Sequence, residues 1–298
     1  MNMVQACEQF LGFCENVRHL SPHTIRAYRL DLRRFAACVG PGVPITAFDR
    51  ATIHAYVEAL FTTFHLRASS VKRHIASARA LFRWLEDEGR ITEDPFRRAR
   101  VKIATPKRLP RLLTRAELRA VLGTPASGDF NDLTSQVAIE LLFATGVRVA
   151  ELAALRDEDV DTETGAVMII GKGDRQRRVF LPENVLGLVQ RYRSERQAHA
   201  QTPIFLVTER GKQTSPDIIR RLVRSRAEHA RVTRRITPHM FRHSVATYLL
   251  EEGVDIRYVQ RLLGHRSIST TEIYTHVADG VLKSLVIERH PRRTIMSS

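Results

Sequence analysis

Ala166-Val167-Met168-Ile169-Ile170, then Gly171-Lys172-Gly173-Asp174, then a return to Val179-Phe180-Leu181 is the one clear β pattern in the chain. Two β-rich runs around a pair of glycines read as an antiparallel hairpin. Outward from it in both directions, apolar residues recur at helical spacing instead. Upstream, Val137, Ile139, Leu141, Leu142 and Phe143 predict a helix closed by Gly146, and Thr114 with Glu117 predicts a capping box that opens an earlier one. Downstream, Ser215-Pro216, Thr237-Pro238 and Asp255 predict three further helix starts. The expected class is mainly α with a small antiparallel β-sheet, the second half of the chain forming an α+β unit.

Residues 1–95 carry no strand pattern and read as a helical bundle. Ser21-Pro22 opens a helix in which Ile25, Tyr28, Leu32, Phe35 and Val39 recur before Gly40 ends it. Ile53, Tyr56, Val57 and Leu60 mark another. Val71, Ile75, Ala78, Phe82 and Leu85 mark one more, starting near Ser69-Ser70 and ending ahead of Gly89. From Arg97 to Arg119 nine Lys or Arg stand against Glu117 alone, and Pro95, Pro106 and Pro110 interrupt helix formation. Such a run is commonly just solvated chain, but between two domains of a basic protein it is placed to cross a phosphate backbone. Residues 96–110 are therefore expected to be a basic interdomain linker, with 111–298 as the second domain.

A length of 298 residues agrees with two domains. Lys and Arg number 47 against 32 Asp and Glu, giving a net charge of +15 and a pI near 10.6, so the protein's field attracts polyanions. That balance points to nucleic acid, with a ribosome-associated role or mere solubility as the plainer explanations. Cys7, Cys14 and Cys38 are odd in number and lack metal-ligand spacing, which argues against a disulfide framework or zinc ribbon. Cys7 and Cys14 should be small core residues on one helical face. Glu8 and Glu15 interrupt any signal-like stretch, and no apolar run approaches the length of a membrane span. The expected setting is cytoplasmic and reduced.

Arg148, Lys172, His239, Arg242, His265 and Tyr274 together supply what phosphodiester cleavage needs without a metal or other cofactor. Charge develops on the non-bridging oxygens of five-coordinate phosphorus, and the arginine fork donates two bonds there while keeping its charge. Arg148 follows the helix-ending Gly146, with Glu151 one turn on and able to orient it. His239 and Arg242 fall on one face at the start of the helix opened by Thr237. Lys172, at the hairpin tip, could protonate an alcohol leaving group. His265 follows Leu263-Gly264 and so projects from a helix C-terminus. Tyr274 lies early in a short helix opened by a Ser269-Thr270-Thr271-Glu272 capping box, and a tyrosine whose proton is taken by a neighbour can attack covalently.

Taken singly, each has a plainer explanation: a surface ion pair, a solvated turn lysine, a histidine satisfying carbonyls, a buried structural tyrosine. His239, His243, His265 and His276 could instead hold zinc. No H-E-x-x-H pattern or carboxylate cluster accompanies them, so no metal is expected.

Together, the segments 144–152 (Ala-Thr-Gly-Val-Arg-Val-Ala-Glu-Leu), 171–173 (Gly-Lys-Gly), 238–247 (Pro-His-Met-Phe-Arg-His-Ser-Val-Ala-Thr), 262–265 (Leu-Leu-Gly-His) and 270–276 (Thr-Thr-Glu-Ile-Tyr-Thr-His) resemble the tyrosine recombinase (phage integrase) family. The likeness is closest to its Xer-like bacterial members and spans nearly the whole chain. It implies that residues 1–95 are a DNA core-binding domain and 111–298 the catalytic domain with a C-terminal tail. It further implies that Arg148 and Arg242 clamp the scissile phosphate, Lys172 protonates the leaving 5′ oxygen and His239 accepts and returns a proton. By the same resemblance His265 holds a non-bridging oxygen and Tyr274 forms a 3′-phosphotyrosyl bond. Glu151 and His243 match flanking positions with supporting roles. Met240-Phe241 departs from the family's more usual aliphatic residue, a change of packing more than of chemistry. Glu288-Arg289-His290-Pro291 resembles the family's tail end, which in relatives docks on a neighbouring protomer. The implied partner is double-stranded DNA, held by a homo- or heterotetramer on two sites, with a second recombinase as an option.

Candidate DNA contacts are Lys72, Arg73, Lys107, Arg108, Arg175, Arg177, Arg220, Arg221 and Arg224. Two other functions share these features. A type IB topoisomerase has similar chemistry but relaxes supercoils as a monomer; the compact helical first half and the tail motif favour recombination. A non-catalytic DNA-binding accessory protein would carry a vestigial site, whereas all six positions hold competent residues.

Overall fold

Capping and apolar periodicity place the helices of the first half almost where the sequence predicts them. The computed structural model describes residues 1–104, 111–124, 128–171 and 174–264, and the chain divides into two units, Met1–Arg108 and Leu109–Ser298. In the first unit, α1 (Met3–Asn16) is followed by α2 (Pro22–Val39), α3 (Arg50–Thr62), α4 (Ala68–Asp87) and α5 (Pro95–Ala99). The Ser21 hydroxyl accepts from the Thr24 amide at 3.3 Å, and Gly40 ends α2. Phe10, Leu32, Phe35, Tyr56, Phe82 and Leu85 are buried together, Phe35 meeting Tyr56 edge-on with ring centroids 4.7 Å apart. Each such side chain contributes about 1.5–3 kcal/mol relative to exposure. Cys7 and Cys14 are both buried on α1, and burial pushes the Cys7 thiol up to about 12, which keeps it unreactive.

The expected linker differs from the structure over its first part. Phe96 and Ala99 of α5 are buried in the first core, and Val101 and Ile103 pack against it. Asp94 caps α5 through the Phe96 amide at 2.9 Å, and Arg79 reaches the Val101 carbonyl at 3.0 Å. The apolar residues hidden among the arginines therefore hold residues 95–103 to the bundle.

The second unit contains α6 (Arg115–Gly123), α7 (Phe130–Thr145), α8 (Val149–Ala154), β1 (Val160–Asp161), β2 (Ala166–Ile170), β3 (Gln176–Phe180), α9 (Glu183–Arg196), α10 (Pro216–His229), α11 (Pro238–Glu251) and α12 (Ile256–Leu263). The strands form one antiparallel sheet in the order β1-β2-β3, with Ala166 opposite Phe180 and Ile170 opposite Gln176. The Gly171 amide donates to the Arg175 carbonyl at 2.8 Å and closes the hairpin. Thr114 and Glu117 form the expected capping box, and Ser215 and Asp255 cap α10 and α12; Thr237 stands at the start of α11 but caps with its backbone alone. The apolar faces of α7, α9, α10, α11 and the sheet bury Leu142, Val179, Val189, Ile219 and Phe241 in one core. Among the described residues no helix is long and apolar enough to cross a membrane.

Candidate active site

At Gly146 the chain must leave α7 and turn at once into α8. Its φ of 62° is the left-handed conformation that glycine adopts freely, and its amide donates to Leu142 at 3.1 Å. A Cβ at this position would stand 2.7 Å from Leu263 Cδ2 and 2.9 Å from Val245 Cγ1. The glycine thus ends one helix and lets α11 and α12 pack directly on that end.

Arg148, two residues on, is the N-cap of α8 and remains 41% exposed. Its amide donates to Glu151 Oε2 at 3.0 Å and its Nη1 to Oε1 at 2.7 Å. Glu151 is in turn bonded by Arg177 of β3, Nη2 to Oε2 at 2.6 Å. Burial alone would raise the Glu151 carboxyl, but the bonds from Arg177 and Arg148 outweigh it and hold its pKa below the ordinary glutamate value. The carboxylate therefore stays ionised and fixes both arginines.

Arg242, on the first turns of α11, is only 4% exposed. Its Nη1 donates to the Gly146 carbonyl at 2.6 Å and its Nη2 to the Leu263 carbonyl at 2.7 Å. Both acceptors lie at helix C-termini, where intrahelical donors run out. One guanidinium thus joins the ends of α7 and α12.

His239, second in the same helix, is an exposed residue whose imidazole is nonetheless partly desolvated. Desolvation first, then the positive charges of Arg242, Arg148 and Arg220, lower its pKa. The His243 ring lies 6.3 Å away, and its pKa is lowered by burial and then by His239 and Arg242. Near neutrality both imidazoles are uncharged, so His239 keeps a lone pair amid arginines.

The structure therefore brings together Arg148, His239 and Arg242, with Glu151 and His243 beside them. Lys172, His265 and Tyr274 lie outside the described residues, as do Lys107 and Arg108. Gly171 and Gly264, which precede Lys172 and His265 in sequence, both border Arg177. A Cβ on Gly264 would stand 3.2 Å from its Cδ, and one on Gly171 3.6 Å from its Nη1.

Among the candidate DNA contacts, Arg175, Arg221 and Arg224 are exposed, and Arg220 is exposed beside its ion-pair partner Asp217. Lys72 and Arg73 are exposed on α4, Arg73 lying 3.0 Å from the buried Asp31. Arg177 differs from expectation: its side chain is 11% exposed, and its Nε donates to the Leu262 carbonyl at 2.9 Å. Strand parity explains this, because Val179 faces the core and residues two apart share a face. That alternation is the signal by which the sequence could have assigned Arg177 to the interior. Arg226 on α10 has no such alternation to mark it; it is buried and bonded to Asp132 at 2.9 Å, a core ion pair.

Residues 111–280 match the Phage integrase family, and residues 7–89 match the Phage integrase, N-terminal SAM-like domain. A tyrosine recombinase of Agathobacter rectalis is 34% identical, the match covering 98% of this chain and 99% of the relative. Tyrosine recombinase XerD of Listeria monocytogenes is also 34% identical, over 96% of this chain and 98% of its own. The crystal structure of the XerH site-specific recombinase bound to palindromic difH substrate, a post-cleavage complex, agrees in fold with a TM-score of 0.74 at 22% identity, covering 94% of this chain and 84% of that one.

Proposed function

This chain belongs to the phage integrase family of tyrosine recombinases, and we propose that it is a site-specific DNA recombinase that cuts and rejoins strands through Tyr274. In this reading the first unit grips the duplex as a core-binding domain and the second carries the chemistry. His239 takes the phenolic proton of Tyr274, and the phenolate attacks the scissile phosphorus. The bond from phosphorus to the 5′ oxygen breaks, Lys172 gives that oxygen a proton, and a 3′-phosphotyrosyl bond forms. Arg148, Arg242 and His265 stabilise the charge that builds on the non-bridging oxygens. The covalent bond conserves the energy of the one cleaved. A 5′ hydroxyl can therefore reverse the steps without ATP.

The observation that carries this reading is the placement of His239 at the start of α11 beside Arg148 and Arg242, where desolvation and then Arg242, Arg148 and Arg220 lower its pKa. A general base must be unprotonated near neutral pH, and a phosphate site must be cationic. Both conditions meet at one point. The substrate is double-stranded DNA, bound by a homo- or heterotetramer on two sites, in support of which the XerH relative was crystallised on its DNA substrate. The setting is cytoplasmic, in keeping with the buried free thiols of Cys7 and Cys14. Integration, excision and replicon dimer resolution are all uses of this one reaction.

The test is a covalent trap. Duplexes are selected from a randomised pool by binding to Tyr274→Phe protein, and the selected sequence is nicked so that the cut end diffuses away. The wild type should form a covalent adduct, while Tyr274→Phe binds and forms none. No adduct from wild type at saturated binding overturns the catalytic reading. Recombination between two copies of the selected sequence, rather than relaxation of any supercoiled plasmid, separates it from a topoisomerase.

A further inference from the structure

Arg177 has more partners than a surface contact needs and fewer exposed atoms than one allows. From β3 it reaches α8 through Glu151 and α12 through the Leu262 carbonyl, at 2.6 and 2.9 Å. The next carbonyl, that of Leu263, is held by Arg242, which also holds Gly146. Gly146 leads to Arg148, and Arg148 is bonded to Glu151. The contacts close into a ring: Gly146, Arg148, Glu151, Arg177, the end of α12, Arg242 and back to Gly146. We propose that Arg177 is a positioning residue of this ring, setting Arg148 and the end of α12 on one guanidinium. The proposal rests on the recombinase reading for what the ring serves.

The geometry requires arginine rather than any cation. The planar fork bonds a carboxylate through Nη2 and a carbonyl through Nε at the same time, in fixed directions, which a lysine ammonium on a flexible stem does not reproduce. Gly264 allows the approach, since any side chain there would press on Arg177 within 3.2–3.4 Å. Glu151 Oε2 is shared between Arg177 and the Arg148 amide. Without Arg177 the carboxylate is held from the Arg148 side alone, and the orientation of Arg148 becomes looser. Arg177 touches no substrate in this scheme. It acts through Glu151 on Arg148, and through Leu262 on the helix end from which the chain runs on to His265.

The experiment compares single-turnover cleavage of the selected nicked duplex, at saturation, with duplex affinity. The proteins are wild type, Arg177→Ala, Arg177→Lys, Glu151→Gln, the Arg177→Ala/Glu151→Gln double variant, and Val121→Ala, a core truncation on α6 that serves as a stability control. Arg177→Ala should slow cleavage about 10- to 100-fold, the scale of a misplaced catalytic group, with affinity unchanged. Lysine should restore only part of the rate, Val121→Ala should lower Tm without slowing cleavage, and the double variant should be no slower than the worse single one. A wild-type rate in Arg177→Ala overturns the proposal. So does an affinity loss that matches the rate loss, or additive losses in the double variant. Hydrogen exchange in the free protein gives a readout apart from activity: Arg177→Ala should speed exchange in both 147–151 and 262–264. Unchanged exchange in either segment overturns the ring even if cleavage falls. If wild type forms no adduct, the recombinase reading fails, and exchange alone still decides whether Arg177 holds both segments.

Discussion

Asp31 in the first unit and Glu151 in the second are both largely buried and paired with arginine, and the two arrangements do different things. In the first unit Asp31 accepts from Ser77 at 2.8 Å, with Arg73 at 3.0 Å and His74 Nδ1 at 3.3 Å. Arg34 lies 3.1 Å from His74 Nε2; a guanidinium can only donate, so that nitrogen accepts and the ring is neutral. Burial accordingly lowers the His74 pKa. The cluster links α2 to α4, and its groups face one another. In the second unit Glu151 likewise binds two arginines, while at His239 desolvation and then the positive charges of Arg242, Arg148 and Arg220 lower the imidazole pKa. The cations come from the N-cap of α8 and from α10, α11 and β3, and Arg148 and His239 remain accessible to solvent. A buried ion pair is therefore poor evidence of a site. Cations drawn from several elements around an exposed histidine are better evidence.

Arg242→Ala should produce the largest effect. Loss of its donors should slow cleavage by about 100- to 1,000-fold, as for removal of one donor to a developing oxyanion. It should also destabilise the second unit by about 1–3 kcal/mol, because the Gly146 and Leu263 carbonyls lose their partner. Single-turnover kinetics and thermal melting separate the two, with most duplex affinity expected to remain. Wild-type cleavage in this variant would remove Arg242 from the phosphate and leave it as a brace.

Asp31→Ala should act on stability alone. Removing a buried acceptor that binds Ser77 and Arg73 should cost about 1–3 kcal/mol. Cleavage at saturating duplex, measured well below Tm, should match wild type. A slowed cleavage step in folded, duplex-bound Asp31→Ala protein would erase the distinction drawn between the two carboxylates.

Much of this was legible in the sequence, because capping and periodicity are local. Ser21, Thr114, Gly146, Ser215 and Asp255 mark their helix ends, and Ala166–Ile170 forms the predicted strand. The strand β1 was not legible, since a two-residue pairing of Val160 with Val167 has no pattern of its own. Helix α5 was hidden by the charge around Phe96 and Ala99. Within the site, Arg148 and Glu151 are neighbours on one turn, so their pairing could be anticipated. The bonds from Arg177 to Glu151 and from Arg242 to Gly146 join residues distant in sequence. Only packing reveals those, although the parity of Val179 pointed Arg177 inward.

The smallest expected effect falls on His239 and is the most specific. Its folded pKa lies below the ordinary 6.5 because of desolvation and then Arg242, Arg148 and Arg220, so the acid limb of the cleavage profile should lie below pH 6.5. Arg220→Ala removes one positive charge. That favours the imidazolium, raises the pKa and moves the acid limb to higher pH, while rates on the alkaline plateau stay the same. A limb that does not move would take Arg220 out of the field at His239. His74 is depressed in the same direction but should read out differently. A histidine held neutral by the fold stabilises it fully above the unfolded pKa of about 6.5, and that contribution is lost as pH falls toward the folded pKa. Lowering the pH should therefore reduce Tm through His74 without touching the cleavage step, whereas at His239 the same change removes the base itself. Arg220→Ala should shift the second dependence and leave the first where it is.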